Sequence, residues 1–185
     1  MYRERAPDEE EPAVRWLPFQ LNPDLPEQGI PRQVYIERKF GAGGARNYSR
    51  VAGVGRDVGI DFAFDNITVQ PNTVNAHRLM RYGAKHGRED ETAESLFRAY
   101  FIEGANLTDP AALAAIGERA GLERKALEAY LASDLDREEV LKGDEDARRA
   151  GINGVPFFIF NRRTAVSGAQ EPETLLQAML DARKA

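Results

Sequence analysis

The feature that most constrains this chain is a continuous apolar run, Phe157-Phe158-Ile159-Phe160, set between Gly154-Val155-Pro156 and Asn161-Arg162-Arg163. An unbroken run closed by turn formers is expected to be a buried strand followed by a tight hairpin. Thr164 to Ser167 supplies the partner strand, and Gly168 lets the sheet end or bulge. Glu171-Pro172-Glu173 then opens a last helix with Leu175, Leu176, Met179 and Leu180 on its inner side. Any fold for this chain must therefore place a strand hairpin and a helix at its end.

Upstream, the pattern is helical. Pro31 suits a first helical position, with Val34, Tyr35 and Phe40 near one face before the glycines of 41–44 interrupt. A second helix is predicted over 46–58, where Tyr48, Val51, Ala52, Gly55 and Val58 form a stripe and Gly59 terminates it. Phe62-Ala63-Phe64 reads as a short extended piece. Asn72 is positioned to cap a helix carrying Val74, Ala76, Leu79 and Met80 inward. Further helices are predicted over 91–103, over 110–120 with Asp109 as cap and Gly121 as stop, over 123–131 and over 136–150. No fixed period recurs, so residues 31–150 read as one helical insertion and not as a repeat array. Ahead of it, 1–12 is a polar segment, Ala13 to Phe19 alternates as a strand would, and the prolines after Leu21 enforce an extended loop.

Composition excludes several classes. The formal net charge is −5, which argues against binding to phosphate backbones, since such proteins present a strongly basic face. No apolar run reaches the roughly 20 residues of a membrane helix, and 1–11 is charged where a signal peptide would be apolar. No nucleic-acid or membrane partner and a cytoplasmic location are expected. There is no cysteine, so these residues offer no disulfide, thiolate ligand or thiol nucleophile. His77 and His86 alone define no metal site, and no metal is expected. The acidic groups Asp134-Leu135-Asp136 and Asp144-Glu145-Asp146 lack the pattern of a calcium loop and read as solvated helix faces. Asn47-Tyr48-Ser49, Asn66-Ile67-Thr68 and Asn106-Leu107-Thr108 match glycosylation acceptors only formally.

The order of these elements, together with Trp16-Leu17-Pro18-Phe19-Gln20-Leu21-Asn22-Pro23, Gly59-Ile60-Asp61-Phe62, Asn72-Thr73-Val74-Asn75-Ala76-His77-Arg78-Leu79, Gly151-Ile152-Asn153-Gly154-Val155-Pro156 and Ser167-Gly168-Ala169-Gln170, resembles the DsbA-like thioredoxin-fold family. Within it the chain is similar to the FrnE and 2-hydroxychromene-2-carboxylate isomerase branch. The resemblance implies an α/β thioredoxin-like fold with a large all-helical insertion, in which 13–30 and 151–185 form the thioredoxin-like domain and 31–150 the insertion. It also implies that Pro156 is a cis-proline preceded by Val155, and that these two hold the backbone of a substrate. The family's first strand and its Cys-X-X-Cys helix have no counterpart here, so the thioredoxin-like domain is expected to be incomplete and these residues redox-inactive.

Asn72, Thr73 and His77 are implied to face the active-site cleft; on the residues alone they are a helix cap and a partly solvated histidine. Trp16, Pro18 and Phe19 are expected in the core, with a substrate groove as the other reading, and Gln170 is expected to satisfy backbone groups where the last helix begins. The function implied first is that of a protein disulfide oxidoreductase with protein or peptide thiol and disulfide partners and no cofactor. A glutathione-dependent isomerase acting on a small aromatic substrate is the second reading, with glutathione as its cofactor. A non-catalytic peptide-binding or chaperone module is the third. A homodimer is compatible with the sequence, though no feature specifies one.

Overall fold

Asn72 shows how local chemistry sets the start of a helix. Its Oδ1 accepts the amide of Val74 at 3.0 Å, satisfying one of the donors that a helix start leaves without a partner. The computed structural model describes residues 2–7, 11–41 and 44–184, with side chains left out for 44–47 and 184. In chain order the elements are α1 (Tyr2–Arg5), β1 (Ile30–Pro31), α2 (Arg32–Phe40), α3 (Gly44–Asp57), β2 (Val69–Gln70), α4 (Val74–Lys85), α5 (Glu89–Phe101), α6 (Pro110–Arg119), α7 (Arg124–Ala132), α8 (Arg137–Arg149), β3 (Phe157–Phe160), β4 (Thr164–Ser167) and α9 (Pro172–Lys184). They divide into two compact units, one of residues 22–142, the other of 1–21 with 143–185. The sequence reading drew its divisions at helix and strand ends, whereas the division observed at 142/143 falls inside the unbroken helix α8.

In the 22–142 unit, α4 to α7 surround a core in which Leu79, Ala99, Leu113, Ala114 and Leu127 are fully buried. Each buried leucine is worth roughly 2 kcal/mol of transfer free energy. The caps are local. Asp109 accepts the amide of Ala111 at 2.9 Å with Pro110 at the first turn of α6, and Glu123 accepts those of Lys125 and Ala126 at 2.9 and 2.6 Å to start α7. Between α6 and α7, Gly121 turns the chain at φ +86°, a conformation that costs a side-chain-bearing residue about 1 kcal/mol or more. β1 and β2 form a short antiparallel pair, Ile30 opposite Gln70 and Pro31 opposite Val69. Pro31 caps α2 from outside instead of beginning it.

In the other unit, β3 and β4 pair antiparallel, from Phe157 opposite Ser167 to Phe160 opposite Thr164. Asn161 and Arg162 turn the hairpin with φ of 48° and 59°, both left-handed, as a turn matched to strand twist requires. α9 packs on this pair, and Leu176 and Ala182 are its buried apolar residues.

Five expectations are corrected. Residues 13–19 form no strand, and no described strand lies alongside to complete such hydrogen bonds. The core reading of Trp16 also fails: it is 43% exposed, with Val14 and Leu17 more so. Pro18 and Phe19 are half-buried, and the Phe19 ring lies under the Arg148 guanidinium at 4.7 Å. β3 is not a buried strand: Ile159 is half-exposed, and Phe157, Phe158 and Phe160 are only half-buried. In place of an extended piece at 62–64, a short 3₁₀ turn runs over Phe64–Asn66. Finally, Asp136 and Asp144 are buried and not solvated. Asp136 receives hydrogen bonds from Tyr130 and Lys85, and Asp144 accepts the amide of Gln20 at 2.6 Å.

Candidate functional site

Val155 and Pro156 lie together immediately before β3, joined by a cis peptide bond. The turn they occupy is anchored on one side only. The Pro156 carbonyl accepts the amide of Gly168 at 2.9 Å, which continues the β3–β4 ladder one step beyond Phe157 and Ser167. Gly168 takes a left-handed φ of +80°, turning the chain out of β4, and Gln170 donates from Nε2 to the Ser167 carbonyl at 3.0 Å. Gln170 thus binds the backbone where β4 ends, ahead of α9. Val155, by contrast, is 50% exposed, and Pro156 is exposed beside it. Chemically this is a short stretch of presented backbone and apolar side chain at the head of a hairpin, without a nucleophile or an acid–base group.

Asn72 and Thr73 lie together in the other unit, where α4 begins. Both ends of the Asn72 amide are engaged: Nδ2 donates to the Leu25 carbonyl at 2.8 Å, and Oδ1 accepts from Val74. The residue therefore fastens the proline-rich loop to the helix start. Thr73 is the residue flanking α4, and its side chain makes no capping bond. Its carbonyl accepts both the His77 amide at 3.0 Å and the His77 ring at Nδ1, 2.8 Å away. A carbonyl can only accept, so Nδ1 carries the proton in this bond.

Of the residues the sequence reading singled out, Asn72 and Thr73 are chain neighbours in one unit, and Val155 and Pro156 are chain neighbours in the other. Among the described residues no group of three or more His, Cys, Asp or Glu is placed to hold a metal ion. Sequence reasoning missed a cavity of about 560 Å³ in the 22–142 unit, lined in part by Arg32, Tyr48, Phe62 and Phe64. Its only advance signal was an arginine at a helix start with no acidic residue one turn on, since Tyr35 and Ile36 hold those positions.

A family model described as DSBA-like thioredoxin domain matches residues 3–180. The chain is 25% identical over 179 residues to the protein titled "Uncharacterized protein YwbO" of Bacillus subtilis, a match spanning 92% of this chain and 82% of that one. Its fold is similar to the crystal structure of a probable DsbA oxidoreductase from Streptomyces coelicolor, with a TM-score of 0.82 and 24% identity, covering 91% of this chain and 74% of the other.

Proposed function

The chain belongs to the DSBA-like thioredoxin domain family, whose function is of the thiol–disulfide oxidoreductase type, and from that premise we propose that it is an FrnE-like member whose 185 residues hold a peptide or protein substrate and supply no thiol. Exchange requires a thiolate that attacks a disulfide sulfur. The sequence contains no cysteine, so none of its residues can perform that step. The observation that carries the reading is the exposed Val155 and Pro156 segment at the head of a hairpin in a chain without a thiol. Presented backbone next to a strand is suited to an extended peptide, which gains affinity from main-chain hydrogen bonds and specificity from alternate side chains. On the helical unit, Asn72 is occupied by its own backbone bonds, which leaves Thr73 as the polar contact of that pair. The same reading places the protein in the cytoplasm; among the described residues no helix is long and apolar enough to cross a membrane.

Two measurements test it together. In insulin reduction with dithiothreitol, the chain should leave the rate at the level of dithiothreitol alone. In amide NMR spectra, the carboxymethylated B chain of insulin, extended and unable to exchange disulfides, should shift the resonances of Gly154, Val155, Phe157 and Gly168. Turnover that depends on this polypeptide would overturn the absence of thiol chemistry. Unmoved resonances in that segment would overturn the substrate-holding role.

A further inference from the structure

Arg32 opens α2 and is only 8% exposed. Its amide donates to the Thr68 carbonyl at 2.8 Å and its Nη1 donates to Gln70 Oε1, which holds the side chain against the β1–β2 pair. The guanidinium lies 4.6 Å from the centre of the Tyr48 ring and 5.5 Å from that of Tyr35. Among the described residues no carboxylate pairs with it, and its Nε is buried without an acceptor. Taking such a cation out of water costs several kcal/mol, while an aromatic face returns about 0.5–2 kcal/mol and an amide oxygen carries no charge to neutralise it. The neighbouring phenols do not neutralise it either. Burial pushes the Tyr100 hydroxyl up to about 12 and raises that of Tyr48 in spite of Arg32, so both stay protonated near neutral pH.

This uncompensated charge lines the cavity of about 560 Å³, a volume in the ordinary range of roughly 300–1,000 Å³ for small-molecule pockets. Part of the lining is aromatic. Phe62 and Phe64 stack at 5.0 Å, and Tyr48 lies 5.2 Å from Phe64. Gly55 lets α3 approach these rings, since a Cβ there would meet Phe62 Cδ2 at 2.5 Å. The remaining charges of the lining, Glu37, Asp65 and Arg56, are exposed. Arg32 and Arg56 against Glu37 and Asp65 leave the lining without net charge, so it offers no field for a multiply charged anion, and the one buried cation calls for a single negative charge on a flat apolar body.

We propose that this cavity binds a small aromatic monocarboxylate, its carboxylate neutralising Arg32 and its ring against Tyr48, Phe62 and Phe64. The site is independent of the thiol–disulfide reading and stands or falls separately from it. Benzoate titrated into the isotope-labelled chain tests it, with benzyl alcohol as the ring without charge and acetate as the charge without ring. Saturable shifts at the amides of Arg32, Tyr48, Phe62 and Phe64 are expected with benzoate, and neither control should saturate in the same range. Arg32→Gln should weaken benzoate by about 10-fold or more, the effect of losing roughly 1.4 kcal/mol. Ala52→Phe, which keeps Arg32 but fills the cavity, should do the same and decides the matter where Arg32→Gln does not fold. Benzoate that fails to saturate, that binds no better than benzyl alcohol, or that binds Ala52→Phe as tightly as the parent chain would overturn the proposal.

Discussion

Arg78 is a charged residue at 2% exposure, and its surroundings explain why it is tolerated. From α4 it donates to the carbonyls of Tyr130, Ser133, Leu131 and Leu135 at 2.8, 2.6, 3.2 and 2.8 Å, and to Asn75 Oδ1 at 2.9 Å. Those carbonyls belong to the end of α7 and the turn after it, where a helix leaves acceptors without partners. The planar guanidinium fits several of them at once, as an ammonium does not. Arg78→Met should therefore cost about 3 kcal/mol, since it strands buried acceptors. Denaturant unfolding measures this as a lower midpoint at unchanged slope; a loss below about 1 kcal/mol would show that water replaces the side chain. Beside it, Asp136 sits buried in the left-handed region at φ 61°. Burial pulls its carboxyl pKa upward, but hydrogen bonds from Lys85 and Tyr130 and the charge of Arg81 outweigh burial and hold it below 3.8. A carboxylate held low in the folded state contributes stability above its unfolded pKa and loses that contribution as pH falls through the folded value. Asp136→Asn keeps the shape and tolerates the left-handed backbone. It should be less stable than the parent chain at neutral pH, with the gap closing below about pH 4. A gap that stays constant between neutral pH and pH 3 would contradict this linkage.

Whole elements depend on such contacts wherever two helices come close. Gly83 lies where α4 meets the start of α5: a Cβ there would sit 2.9 Å from Thr92 Cβ and 3.0 Å from the Arg88 carbonyl oxygen. The turn is already tight, with the Gly83 carbonyl accepting from His86 and Arg88 at 3.0 and 2.8 Å. Gly83→Ala should thus destabilise by about 1–3 kcal/mol despite the higher helix propensity of alanine, because overpacking against backbone cannot relax by a rotamer change. A thermal midpoint at or above that of the parent chain would mean the helices can separate without cost. Helices of this kind were legible in the sequence because their determinants are local. Asn72, Asp109 and Gly121 are caps and stops read from neighbouring residues, and the apolar spacing around Leu79, Leu113 and Leu127 identifies the buried faces. What could not be read depends on partners far along the chain. Ala13 to Phe19 has the alternation of a strand, yet a strand needs a neighbour. Asp144 looks like one of several surface acids until Gln20 donates its amide to it and Arg148 bonds both. For Arg32 the sequence shows only that no acidic residue stands one turn on; that no described carboxylate from farther along the chain reaches it depends on the fold.

At the scale of the molecule, apolar burial is unevenly distributed along the sequence. The buried cluster runs from Ile67 to Leu131 and lies wholly within the 22–142 unit. In residues 1–21 and 143–185, the buried apolar side chains are Ala6, Leu176 and Ala182 among those described, and β3 and β4 form a sheet of their own. A two-stranded pair has marginal stability in water unless a packed face supports it, and here α9 offers little fully buried area. Native proteins open in cooperative pieces whose free energies follow such differences in burial. Amide exchange should therefore be slowest in α4, α6 and α7, around Leu79, Leu113 and Leu127, and faster in the ladder amides of β3 and β4 by at least ~10-fold, equivalent to about 1.4 kcal/mol. The comparison belongs under native conditions at neutral pH, with rates corrected for intrinsic exchange. Equal protection across both segments would show that the hairpin unfolds only with the helical unit, and that its stability comes from coupling to that unit and not from its own burial. Slower exchange in the hairpin would invert the ranking outright and deny that apolar burial sets local stability in this chain.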